Sequence, residues 1–334
     1  MKQGPRRRGW PMKNMAKRFN SRIIAATALT LAAGLFLPGC GRGVTGPSSS
    51  KQEMPPQVTG PALDVRELES PAGADSREPE MFTTPDGRVV LSWVEKTGEK
   101  RYALRFAARD GAGWSEPGTA AEGDNWFINW ADFPSVIALP DGALASHWLV
   151  KSGPGTYAYD VQVSLSKDRG KSWGKPVVPH SDKTLTEHGF VSLIPLSDGR
   201  VGAVWLDGRN LKDVKEGEEE KGPLPASMTL RYAAIDAEGR VSDEASLDER
   251  VCECCQTSAA LTSEGPVVVY RDRSETEVRD IYIVRRQGDA WSVPHAVYAD
   301  NWEINGCPVN GPSVAPTGGA WRSRGSRAWA TPRA

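Results

Sequence analysis

The first 39 residues contain no aspartate and no glutamate. They carry eight bases instead: Lys2, Arg6, Arg7, Arg8, Lys13, Lys17, Arg18 and Arg22. The apolar run that follows, IIAATALTLAAGLFLP, is too short for a membrane span and has the length of a secretory leader core. Basic charge is also scarce beyond the leader. Of the chain's 41 Lys and Arg, the 33 outside it face 42 Asp and Glu, a balance of −9. With no basic stripe and no nucleic-acid motif, that balance argues against a partner made of nucleic acid. Helical periodicity is missing too, which leaves strands as the expected elements.

What is present begins with a cysteine. The apolar run ends in Leu37-Pro38-Gly39-Cys40, which resembles a bacterial lipobox. The resemblance implies that residues 1–39 are a lipoprotein signal peptide and that Cys40 is acylated. The chain would then be lipid-anchored in a bacterial cell envelope, on its periplasmic or surface face. Residues 40–69 are rich in Gly, Pro and Ser and read as a flexible tether. An envelope compartment is oxidising and favours disulfides over free thiols.

Beyond the tether, short alternating runs follow turn pairs: RVVLSWVE, ALASHWLV, RVGAVWLD and PVVVYRDR. The pairs are Asp86-Gly87, Asp141-Gly142, Asp198-Gly199, Glu264-Gly265 and a weaker Gly318-Gly319, at intervals of 55, 57, 66 and 54 residues. Trp93, Trp148, Trp205 and Tyr270 recur six or seven positions after the first four pairs. A second hairpin follows in each unit, as ARDGAGWSEP, SKDRGKSWGKP and RRQGDAWSVP; the third unit's AIDAEGRVSDE lacks the tryptophan. Four strands per unit of this length predict an all-β fold, a β-propeller of four-stranded blades over residues 70–315. Strands A and B flank the first turn of each unit, and strands C and D flank the second.

One of these hairpins, Ser166-Lys167-Asp168-Arg169-Gly170-Lys171-Ser172-Trp173, resembles the Asp-box of bacterial neuraminidases. The resemblance implies a sialidase-like, six-bladed propeller and a structural role for Ser166, Asp168, Gly170, Ser172 and Trp173. It further implies three arginines that hold a sugar carboxylate, whose geometry suits guanidinium forks. Arg77, in Arg77-Glu78-Pro79, occupies the place of the family's first arginine, with the central residue changed. Arg271 and Arg279 are candidates for the second. The third arginine, the family's tyrosine nucleophile and its aspartate acid/base are not placed.

In a propeller, the loops leading into strand A share one face with those joining strands B and C, where ligands bind. The strand A lead-ins carry Arg77, Glu78 and Glu80; Asp124, Asn129 and Asp132; Glu187 and His188; the cysteines; and Asn305 and Asn310. Two lead-ins echo each other, DNWFINWADFPSV from Asp124 and DNWEINGCPVNGPSV from Asp300. The expected ligand face therefore includes Asp124, Trp126, Asn129, His188, Trp302 and Asn305. The B–C loops add Asp207, Arg209 and the run from Tyr270 to Asp280.

Cys252, Cys254 and Cys255 sit within four positions, and Cys307 leads into the next unit. A disulfide framework joining Cys307 to Cys254 or Cys255 is the first expectation. The alternatives are a Zn or Cu(I) thiolate site and a nucleophilic thiol. No other cofactor is expected. Similar Cys-x-Cys-Cys and Gly-Cys-Pro-Val-Asn-Gly-Pro segments occur in sialidase-like bacterial lipoproteins of unknown activity.

The last 15 residues, AWRSRGSRAWATPRA, hold four Arg and no Val, Ile, Leu or Phe. The expectation is that residues 316–334 are an aberrant tail on a propeller cut short after about four blades and one strand, which leaves the chain inactive. As a whole the sequence points to a sialidase-like envelope protein that acts on or binds glycans. The alternatives are a non-catalytic propeller for glycan or protein and a thiolate metal-binding protein.

Overall fold

A computed structural model describes residues 65–84, 86–111, 113–212, 227–304, 306–317 and 320–324. The leader, Cys40, most of the tether, Asn305 and the Gly318-Gly319 pair lie outside the described residues. Among those residues, no helix is long and apolar enough to cross a membrane.

The strands group into consecutive antiparallel sheets, as the repeat requires. Blade 1 is β1 (Ser76–Thr83), β2 (Val89–Lys96) and β3 (Arg101–Asp110), with β4 (Gly113–Trp114) and β5 (Gly118–Asp124) sharing its outer edge. Blade 2 is β6 (Ser135–Ala138), β7 (Leu144–Lys151) and β8 (Tyr159–Ser166). Blade 3 is β9 (His188–Pro195), β10 (Val201–Asp207), β11 (Met228–Ile235) and β12 (Val241–Val251). Blade 4 is β13 (Ser258–Thr262), β14 (Gly265–Arg271) and β15 (Ile281–Gln287), edged by β16 (Ala290–Trp291) and β17 (His295–Ala296). A hairpin of β18 (Ser313–Thr317) and β19 (Ala320–Arg324) begins a fifth unit.

Local chemistry explains both the regularity and the exceptions. Gly87, Gly142 and Gly199 adopt φ of +82°, +86° and +83°. Each donates its N–H to the carbonyl three residues earlier, closing the A–B turn. In the fourth blade Thr262 stands directly opposite Gly265, so that turn is tighter. The outer strand is less regular than four full strands per blade would require. Blade 2 has a three-stranded sheet, its fourth strand reduced to a bridge between Val163 and Val177. Pro176 and Pro179 flank Val177 and supply no N–H to a ladder. Pro117 and Pro294 likewise lie between β4 and β5 and between β16 and β17. In blade 3 the Trp-x-x-Pro pattern is absent, and β12 runs unbroken for 11 residues.

Hydrophobic cores lie between successive blades. Leu104, Trp126, Val136 and Trp148 pack between the first two; Leu149, Val161, Leu193 and Trp205 between the next two. Leu206, Tyr232, Val268 and Tyr270 pack between blades 3 and 4. Trp93, Trp148, Trp205 and Tyr270, equivalent by repeat, are all buried packing residues. The innermost strands β1, β6, β9, β13 and β18 line one channel of about 470 Å³. This is the architecture of a β-propeller. The boundary drawn at residue 315 falls inside β18, and Ala320–Arg324 pairs with that strand, so part of the expected tail continues the fold as a hairpin.

Candidate active site at the channel mouth

The strand A lead-ins bring acids from successive blades to the mouth. In β1 the register shifts between Arg77 and Glu80, and Glu78 adopts φ +53°. Pro79 has no N–H to extend the ladder there. Glu78 is therefore buried while Arg77, Pro79 and Glu80 stay exposed. Burial pushes the Glu78 carboxyl up to about 8, with the Asp132 charge adding and Arg77 opposing. Its Oε2 has no hydrogen-bond partner among the described residues.

Asp132 leads into blade 2 and is also buried. Its Oδ2 accepts from the Phe190 N–H at 2.8 Å and from the Tyr159 hydroxyl at 3.3 Å. Burial outweighs both bonds and pushes this carboxyl up to about 7. Glu187, leading into blade 3, accepts from the same hydroxyl at 2.7 Å. Burial, with the Asp132 and Glu253 charges, holds it at about 8. Gly189 makes this convergence possible: a Cβ there would strike Asp132 Oδ2 and lie 2.7 Å from the Tyr159 oxygen.

Beside this cluster, His188 is fully buried. Its Nδ1 lies 3.5 Å from Asp160, and its Nε2 lies 3.3 Å from Asp182 and 3.8 Å from Asp207. Burial alone would lower its pKa, but these carboxylates win and raise it to about 9. His180 stacks on His188 with ring centres 3.8 Å apart. Burial also opposes ionisation of Asp182. Hydrogen bonds from His180, His188 and Thr184 outweigh that and hold it well below the usual carboxylate range. The His and Asp donor atoms are spaced closely enough to share an ion. Protonated His188, and Arg209 on Asp207 at 2.7 Å, already supply counter-charge.

In blade 4 the arginines turn inward. Arg271 donates through Nε and Nη2 to the Asn310 carbonyl at 3.0 and 2.7 Å, and through Nη1 to the Arg279 carbonyl at 2.6 Å. Arg279 binds Glu277 at 2.8 Å and reaches Cys252 Sγ at 3.2 Å. Arg273 is held by Glu253 and Glu277. Arg271 and Arg279, the candidates for the second sugar-carboxylate arginine, thus both have their guanidinium groups engaged inside the protein. Arg77 is exposed on β1. Cys254 and Cys307 form a disulfide, while Cys252 and Cys255 are free and buried, with sulfurs 3.5 Å apart. The Cys255 hydrogen bond, together with Arg279, lowers the Cys252 thiol below its ordinary value. The same contact and burial push Cys255 up.

The hairpin that resembles an Asp-box is closed by its own side chains. Asp168 accepts from the Ser166 hydroxyl at 2.9 Å and from the Ser172 N–H and hydroxyl at 2.8 and 2.5 Å. Ser172 and Ser166 lower this carboxyl to about 2. Gly170 takes φ +85°, and Trp173 meets Phe106 edge-on.

Several expected ligand-face residues have structural roles instead. Asn125 and Asn301 both take left-handed φ, 63° and 52°, so the two echoed segments share a backbone feature. Each segment then forms an isolated bridge, Trp126 to Val150 in β7 and Glu303 to Val278 ahead of β15. Trp126 is stacked on Trp148 in the core, which corrects its assignment to the ligand face. Trp302 covers the Arg271 guanidinium at 4.7 Å. Asp124 is exposed and pairs with Arg101 at 3.6 Å, and Asn129 caps a turn through the Ala131 N–H. Tyr159, Asp160, His180 and Asp182 carry no family signature. Their one sequence signal is position, at or beside the same lead-ins and at the start of β8.

No family model and no curated protein sequence matches the chain. Solved structures of similar shape include a protein of unknown function from Dyadobacter fermentans, at 15% identity and TM-score 0.45, covering 72% of each chain. The GH93 α-L-arabinofuranosidase of Fusarium graminearum, in complex with arabinobiose, is 13% identical at TM-score 0.45, over 72% of this chain and 68% of that one. A mutant of NanB sialidase from Streptococcus pneumoniae is 12% identical at TM-score 0.43, over 75% of this chain and 56% of that one. Likeness at this level assigns no reaction.

Proposed function

We propose that the channel mouth binds a glycan and exchanges protons with it through Glu78, Asp132 and Glu187. The observation that carries this reading is the meeting of Asp132 and Glu187 on the buried Tyr159 hydroxyl, with Glu78 feeling the Asp132 charge; their pKa values are about 7, 8 and 8. Glycoside cleavage needs one protonated and one ionised carboxyl together. Groups that titrate near neutrality supply both forms in one cluster. The Asp-box resemblance supports the substrate class, and the lipobox supports an anchored position in the envelope. A sialic acid would bring its own carboxylate to a mouth already lined with acids, where Arg271 and Arg279 are engaged elsewhere. A neutral glycan suits the site better.

The test is incubation of the full-length protein with neutral and sialylated oligosaccharides, reading released sugar by chromatography and retained sugar by equilibrium binding. Release of neutral sugar, lost in Glu187→Gln and Asp132→Asn, is the expected result. Binding without release would make this a non-catalytic glycan-binding propeller. Neither binding nor release would overturn the reading.

A further inference from the structure

We propose that Cys252 and Cys255 bind one Cu(I) ion at the lead-in to blade 4, with the Cys254–Cys307 disulfide intact. The inference does not rest on the glycan reading. The two thiols are 1% and 2% exposed, and their sulfurs lie 3.5 Å apart without a bond. Cys252, Cys254 and Cys255 offer sulfurs that all lie within 4.8 Å of one another.

Both free sulfurs accept N–H groups from outside the cysteine cluster. Arg279 Nη1 reaches Cys252 at 3.2 Å, and the Asn310 N–H reaches Cys255 at 3.4 Å. Donors aimed at sulfur favour thiolate and orient it, as outer partners do around metal ligands. Burial then decides what can use the pair. A macromolecular disulfide cannot reach sulfurs this covered, whereas a single ion can.

The donor set selects the ion. The disulfide removes Cys254 and Cys307 as thiolates, which leaves two sulfurs. Structural Zn(II) requires four ligands. Cu(I) is soft and selects thiolate. Glu253 and Glu277, the nearby carboxylates, are hard donors and are held by Arg273 and Arg279. Two thiolates and one monovalent cation leave a single negative charge, and the Arg279 guanidinium lies against it through Nη1 at 3.2 Å from Cys252 Sγ. With metal–sulfur bonds of about 2.3 Å, two sulfurs on one ion stand about 3.8–4.6 Å apart, depending on the angle. The pair therefore opens by a few tenths of an ångström or more on binding.

The full-length protein is loaded anaerobically with Cu(I) and ascorbate, which leaves the disulfide closed, and the two free thiols are counted beforehand. A chromogenic Cu(I) chelator then competes. One copper per chain should be retained. Cys252→Ser and Cys255→Ser should each weaken retention at least a hundredfold, whereas the Cys254→Ser/Cys307→Ser double variant keeps it. Circular dichroism reports folding of each variant. Copper-edge absorption on the wild type, which needs no variant, should show two sulfur neighbours. The proposal is overturned by no copper on folded protein with both thiols free, by nitrogen or oxygen ligation alone, or by Zn(II) held as tightly.

Discussion

The Tyr159 hydroxyl donates to Glu187 Oε1 at 2.7 Å, tying the first residue of β8 in blade 2 to the lead-in of blade 3. The same hydroxyl lies 3.3 Å from Asp132 Oδ2, so one phenol serves two acids. Both bonds favour the ionised carboxyls against the burial that opposes them.

Removing that donor should leave burial less opposed, with the Phe190 N–H still on Asp132. In Tyr159→Phe the Glu187 and Asp132 pKa values rise further, by about one unit or less. Stability falls by about 1–2 kcal/mol, because buried acceptors lose their partner. Carboxyl-carbon NMR titration reads the first effect and urea unfolding the second. Unchanged midpoints would show that the hydroxyl does not tune these acids.

Glu78 should cost stability at high pH. Its folded pKa is about 8 against an ordinary 4.5, so the native state holds the proton more tightly than the unfolded chain. No penalty exists below about pH 4.5; it grows as pH rises and is complete above about 8. Glu78→Gln keeps the shape and removes the ionisation. The variant should match the wild type at pH 4 and exceed its stability at pH 9 by about 1–3 kcal/mol. Equal loss at both values would refute the burial argument.

His188 has the opposite protonation preference from an ordinary buried histidine, yet its stability also falls toward alkaline pH. Its folded pKa of about 9 exceeds the ordinary 6.5, so its contribution is full below 6.5 and fades as pH rises through 9. Asp182 has a lowered pKa, so its contribution is present above its ordinary 3.8 and fades in stronger acid. The network is strongest between these limits, about pH 4–6.5. His188→Asn should therefore lose most stability near pH 5–6 and converge on the wild type near pH 10. A pH-independent difference in thermal midpoint would contradict the imidazolium assignment.

Gly170→Ala tests the Asp-box as a blade joint. The added Cβ would collide with the Phe106 ring and sit 3.1 Å from Leu144, at a residue with φ +85°. A loss of about 2–4 kcal/mol in urea unfolding is expected. Gly87→Ala is the control. It has φ +82° but nothing within 4 Å, so it should cost only backbone strain, about 1–2 kcal/mol. Equal losses would mean that the Phe106 contact yields freely.

Much of the blade pattern was legible because its causes are local. An Asp-Gly pair closes a turn through its own backbone, and Trp93, Trp148 and Trp205 mark a strand whose buried face repeats. The Trp-x-x-Pro pattern even held the reason that three outer strands break, although regular four-stranded blades were expected. The acids at the mouth were legible only as residents of one face. Trp126 was misplaced there because a tryptophan in a loop reads the same whether it turns to solvent or stacks on Trp148.

Turn chemistry, alternation and spacing thus determined the propeller by themselves, since each depends on residues a few positions apart. Only the tertiary structure decided which side chains meet. Tyr159 finds Glu187 and Asp132 because lead-ins from different blades converge at the mouth, and because Gly189 has no Cβ to block them. Cys307 bonds Cys254, Cys255 stays free, and Arg271 turns inward to the Asn310 carbonyl. These contacts join residues far apart in sequence, so local pattern carries no record of them.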